Sequence, residues 1–195
     1  MSMGDVAEWF DGADGRDAGE QSFLAALRAA AGASSWSISP EETSCMAFGA
    51  PLYLSVDLPA MTTFPGNRAA RQLELALWPT DSHQGLRLDG DWGNDSTPLD
   101  DVWFIDGGRL QVVGVEASAD DLAQWAIRWI ERQLARRIRF RQWRVGGAAA
   151  TMEDTGEAVG LKAGPWGRIG APIFDTVVPA SQPHDLFADS QRTDQ

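Results

Sequence analysis

The sharpest alternation of apolar and polar residues runs from Ser118 to Leu134. Leu122, Trp125, Ala126, Trp129, Ile130 and Leu134 recur at intervals of three and four, which is one face of a helix. Ser118 stands just before this stripe with Asp121 three residues on, the spacing at which two side chains can satisfy each other's backbone N–H groups. The pattern predicts a long amphipathic helix over about 119–136. Elsewhere the period is two. Leu73, Leu75 and Leu77 alternate with Gln72, Glu74 and Ala76, as in a half-buried strand, and Leu86-Arg87-Leu88 is a shorter copy. Val102 to Ile105 and Leu110 to Val115 flank Asp106-Gly107-Gly108, residues that accept positive φ at low cost and so predict a hairpin. After the helix, Arg137, Arg139 and Arg141 alternate with Ile138 and Phe140, a strand whose arginines share one face. The alternation slips at Gln142, where Trp143 would join the arginines.

Weaker patterns fill in the rest. Phe23, Leu24, Leu27 and a run of alanines predict a short helix over about 21–31, with Ser22 as its cap and Gly32 just past its end. Between Trp36 and Leu58, Pro40, Gly49 and Pro51 cut the chain into short strands, and Ile173 to Val178 reads as a last strand. The fold class that follows is α+β: a mainly antiparallel sheet with the long helix and the shorter helix packed on one face. Strands and helices do not alternate in the doubly wound manner, which argues against a nucleotide-binding fold. Residues 1–178 make one domain that begins with a loose acidic N-terminal arm over about 1–20, in which Trp9 and Phe10 are the anchors. Residues 179–195 read as a solvated C-terminal tail.

Charge changes this picture. The chain has 195 residues and a formal net charge of -12. From Ala119 to Arg144, however, seven arginines face Asp120, Asp121 and Glu131, a local +4 that leaves -16 for the remainder. From Asp89 to Asp106 there are six aspartates and no cation. Such a surface repels a duplex, because phosphate binding needs a net basic footprint, and it steers basic partners. Cys45 is the only cysteine, so there is no disulfide, and a small buried hydrophobe is the plainest role for it. No run approaches the ~20 apolar residues of a membrane-spanning helix, and the N-terminus is acidic where a signal peptide is basic. A cytoplasmic protein with no membrane partner is expected.

Catalytic patterns are missing. His83 lies in a turn and His184 in the tail, and neither is set beside a nucleophile. The glycine-rich piece Gly164 to Gly170 lacks the lysine of a phosphate cradle. Asp89-x-Asp91 resembles the opening of a calcium loop, but the glycine and terminal glutamate are not at the required spacing, so neither a metal nor a cofactor is expected. Two binding surfaces stand out instead. One is the acidic stretch DGDWGNDSTPLDD, where Trp92, flanked by Asp91 and Gly93, reads as an exposed anchor among Asp91, Asp95, Asp100 and Asp101 for a basic partner. The other is the face of Arg137, Arg139, Arg141 and Trp143, suited to a carboxylate-rich or phosphate-bearing partner unless it simply pairs with acids across strands.

The passage VWFIDGGRLQVVGVEASADDLAQWAIRWIERQLARRIRFRQW resembles the strand, strand, helix, terminal-Trp module of uncharacterised actinobacterial proteins and of small immunity proteins from bacterial toxin systems, over about a quarter of the chain. The resemblance implies an acidic, cytoplasmic, non-catalytic protein that binds a toxin's active site. The expected function is thus a non-enzymatic protein-binding module, most concretely an immunity or inhibitor protein for a partner with a basic surface. A small enzyme or small-molecule binder with a pocket near the irregular C-terminal region, and a self-associating structural subunit, are the alternatives.

Overall fold

The structure is a computed structural model and describes residues 7–47, 51–58, 72–81, 85–93, 110–113, 117–145, 147–159 and 170–181. Its class is α+β, and the described residues form two α-helices, a six-stranded, mostly antiparallel sheet and a separate three-stranded sheet. By internal contacts the chain forms two compact units, one drawn from 1–57, 74–90 and 110–131 and the other from 58–73, 91–109 and 132–195.

In the first unit, β1 (Asp11–Gly12), β2 (Thr43–Met46), β3 (Leu52–Asp57), β4 (Gln72–Asp81), β5 (Gly85–Gly93) and β6 (Leu110–Val113) neighbour one another in chain order. β4 and β5 each run past the unit's edge by a few residues. β1 lies parallel to β2, while the β2–β3 and β5–β6 pairs are antiparallel. Phe10 is fully buried at φ 51°, an uncommon conformation for a non-glycine residue, and its N–H donates to Thr43 Oγ1 at 2.7 Å. Arg28 holds the same segment by donating to the carbonyls of Trp9 and Phe10 at 3.2 and 3.1 Å. Residues 7–20 therefore carry specific contacts rather than forming a loose arm. At Gly12, φ is 131° and a Cβ would lie 2.2 Å from the Cys45 carbonyl oxygen, so only glycine fits where β1 joins the sheet.

Helix α1 spans Ala18–Ala33 and buries Phe23, Leu24, Leu27 and Ala31. It starts earlier than the sequence pattern predicts because Asp17, not Ser22, is the cap: Asp17 Oδ1 accepts from the Glu20 N–H at 2.9 Å. Ser22 Oγ instead donates to the Ala18 carbonyl, and Gly32 lies inside the helix. Helix α2, Ala119–Leu134, opens as its sequence predicts. Asp121 N–H donates to Ser118 Oγ at 3.1 Å and Ser118 N–H to Asp121 Oδ2 at 3.1 Å. Leu122, Ala126, Trp129, Ile130 and Leu134 are buried, and Trp125 half-buried. Gly90 on β5 lets this helix lie close to the sheet, since a Cβ there would meet Leu75, Leu110 and the Trp129 ring at 2.8, 3.1 and 3.2 Å.

In the second unit, β7 (Arg137–Gln142) is central between β8 (Ala148–Met152) and β9 (Phe174–Pro179), both antiparallel to it. The sequence predicts one sheet. Among the described residues this mainly antiparallel sheet is accompanied by a second, three-stranded one, in which both partners of β7 come from the chain that follows it. Ile138 and Phe140 are fully buried with Met152 and Ala150 opposite them, and the arginines alternate outward. Of the predicted tail, Pro179 ends β9 and Ala180 is buried, its N–H donating to the Arg136 carbonyl at 2.9 Å. The predicted strand Val102 to Ile105, the hairpin at Asp106-Gly107-Gly108 and the tail beyond residue 181 lie outside the described residues.

Candidate functional site

The arginine face of β7 is the predicted surface that the structure describes most fully. Arg139, Arg141 and Asp175 meet because Arg141 and Asp175 are register partners and Arg139 is two positions along the same face. Arg139 grips Asp175 in a fork, Nε to Oδ1 at 2.8 Å and Nη2 to Oδ2 at 3.0 Å, and Arg141 Nε stands 3.6 Å from Oδ2. Held chiefly by the Arg139 hydrogen bonds, the Asp175 carboxyl titrates below the usual carboxylate range. Arg137 Nε lies 2.6 Å from Glu153 Oε2. These forks are therefore engaged with the chain's own acids, as the cross-strand pairing alternative requires. They do not stand open for a partner's phosphates. What the face offers is a patterned, near-neutral ladder of ion pairs.

At one end of this sheet the character changes. The Trp143 N–H donates to the Gly147 carbonyl at 2.9 Å, closing the β7–β8 turn, and Trp143 is half-buried. Arg144 and Val145 follow in that turn, both exposed, and Ile173 lies beside it with its N–H on the Gln142 carbonyl at 2.8 Å. Among the described residues three large hydrophobic side chains are exposed, and Val145 (56%) and Ile173 (60%) are two of them. A turn rich in glycine and alanine gave no sequence pattern that marked either one. Only the pairing of β9 with β7 brings Ile173 to this end.

The acidic stretch differs from its expectation. Trp92 is a buried side chain, 3% exposed, whose indole Nε1 donates to Gln133 Oε1 at 3.0 Å, so it is no exposed anchor. The reason is period two: β5 carries on through Asp89–Gly93, with Leu88, Gly90 and Trp92 buried on alternate positions. Turn-forming Asp and Gly residues disguised a strand. Asp91 accepts the Trp92 N–H at 2.8 Å through Oδ1. Asp95, Asp100 and Asp101 lie outside the described residues.

A polar cluster that sequence patterns did not reveal sits on β4 and β5. Asp89 is buried. Its Oδ2 accepts from the Trp78 indole at 3.0 Å and lies 2.5 Å from Arg87 Nη2, while the Arg87 guanidinium stacks 4.9 Å over the Trp78 ring. Residues 87 and 89 being two apart on one strand is the trace it leaves in the sequence.

For covalent chemistry the described residues offer little. Burial raises the Cys45 thiol above its ordinary range, which disfavours the thiolate a nucleophile needs. No group of three or more His, Cys, Asp or Glu among the described residues is placed to hold a metal ion, and both histidines lie outside them. No described helix is long and apolar enough to cross a membrane. No protein-family model matches the chain, and neither does any curated protein or solved structure.

Proposed function

We propose that this chain is a non-enzymatic, cytoplasmic protein-binding module, in its most concrete form an immunity or inhibitor protein that neutralises its partner by occupying it. The observation that carries the reading is the end of the three-stranded sheet, where exposed Val145 and Ile173 adjoin Trp143 and Arg144. Tryptophan and arginine beside small apolar groups are the composition of interface anchors, which dominate binding energy when a partner desolvates them. Isolated exposed aliphatics are ordinary on a soluble protein, and it is the placing of two at one end of a single sheet, with a tryptophan and an arginine in the same turn, that supports a covering surface. The ladder of Arg139, Arg141 and Asp175 next to them supplies a polar rim with its hydrogen bonds already ordered.

The net charge of -12 favours a basic partner by long-range attraction, and argues against nucleic acid as the target. The association rate with that partner is expected to fall as ionic strength rises.

The test is purification from the native host followed by native mass spectrometry and affinity measurement with the copurified protein. The double variant Val145→Asp, Ile173→Asp is expected to keep the wild-type thermal midpoint and to weaken the complex at least tenfold. Unchanged affinity would remove this surface from consideration. A homo-oligomer in place of a different protein would turn the reading to the self-associating subunit.

A further inference from the structure

A second surface of the same unit carries its own chemistry. The end of α2, the start of β7 and the turn after β8 border an open groove of about 350 Å³ lined by Arg132, Ala135, Arg136, Arg137, Glu153 and Asp154. Three guanidinium groups meet two carboxylates there, which leaves a local charge of +1. The pairing is uneven. Arg136, nine-tenths buried, bonds Asp154 through Nη2 at 2.8 Å and keeps a buried Nε–H without a partner. Arg137 is taken by Glu153. Arg132 is exposed, and its side chain has neither a hydrogen bond nor an ion pair among the described residues.

The negative end of the α2 dipole by itself favours cations in the last turn, and so explains why arginines occur there. It does not explain a concave site in which two forks are held by resident acids while the third has no partner among the described residues. Groups held in place before binding lose little freedom when a ligand arrives. We infer that this groove receives one carboxylate of a partner protein, an acidic side chain that pairs with the Arg132 fork against the wall formed by Arg136 and Asp154. A singly charged group matches the local +1, whereas a phosphate dianion would be repelled by Glu153 and Asp154 at close range. The inference rests on the protein-binding reading but uses none of the residues at the β7–β8 turn.

The probe is acetyl-aspartate N-methylamide, titrated into the full chain at fixed ionic strength and followed by NMR of the arginine Nε–H signals. Its asparagine counterpart and inorganic phosphate are run beside it. The aspartate compound is expected to shift the Arg132 signal saturably. Arg132→Gln should weaken it at least fivefold. Asp154→Asn, which frees Arg136 from its internal competitor, should tighten it severalfold. Arg128→Gln, one turn earlier and outside the groove, should leave it unchanged. Equal binding of the asparagine compound, tighter binding of phosphate, weakening by Asp154→Asn, or equal losses in the two arginine variants would each overturn the assignment. Because the probe is a small molecule, a silent groove leaves the reading at the β7–β8 turn standing, and a turn without effect on a partner leaves the groove standing.

Discussion

The two units use arginine–carboxylate pairs to opposite ends. In the first, two carboxylates point inward: Glu20 is buried against Arg16 and accepts the Arg16 N–H at 2.7 Å, and Asp89 is 1% exposed between Trp78 and Arg87. In the second, Asp175 and Glu153 lie outward and hold Arg139, Arg141 and Arg137 at the surface. Inward pairs that also tie down backbone cost stability when one partner is removed, because a desolvated group is left behind. Outward pairs are screened by water and contribute little. Glu20 and Asp89 thus spend their charge on shape, and Asp175 and Glu153 present theirs.

The largest expected effect belongs to a residue that sequence patterns assigned to the surface. Trp92→Ala should cost about 3–5 kcal/mol, the ordinary loss for a buried aromatic, and denaturant unfolding checks it. A loss within about 0.5 kcal/mol would restore the exposed-anchor reading. Next is Gly90→Val, expected to cost about 1–3 kcal/mol because the new side chain meets Leu75 and Trp129 where the helix approaches the sheet.

Glu20→Gln should cost about 1–3 kcal/mol at neutral pH, and its pH profile sharpens the contrast between the units. The Glu20 carboxyl is held below the usual glutamate value, first by its hydrogen bond from Arg16. A depressed folded pKa gives stability that is fully present above the unfolded value, about 4.3, and is lost as pH falls through the folded one. Wild-type melting temperatures should drop over that acid range, and in Glu20→Gln this part of the drop should vanish. The smallest effect is expected for Asp175→Asn. Thermal midpoints should stay within error of wild type despite three close arginine–carboxylate contacts, since water already solvates both partners. A large loss there would erase the distinction between the two kinds of pair.

Much of the fold can be read from local periodicity. The reciprocal cap of Ser118 and Asp121, the stripe from Leu122 to Leu134 and the alternation of β4 and β7 are all short-range patterns, and each appears where it was expected. Where two local rules compete, the reading fails. At Asp89–Gly93 turn composition outvoted a period of two that Leu88, Gly90 and Trp92 keep, and at Asp17 an acid made a better cap than the serine nearer the apolar run. The site was legible in part. The arginine face shows in the sequence, but its neutralisation by Asp175 depends on a partner thirty-six residues away, and nothing local foretells that register.

Helix α2 begins and finishes by different means. Its opening turn is secured by residues three apart, whereas the carbonyls near its finish, at Leu134 and Arg136, are bonded by the N–H groups of Ser181 and Ala180. The first of these can form as soon as the segment leaves the ribosome. The second must wait until β9 has been made and folded back, so a nascent chain halted after β8 carries a helix firm at its start and frayed at its finish.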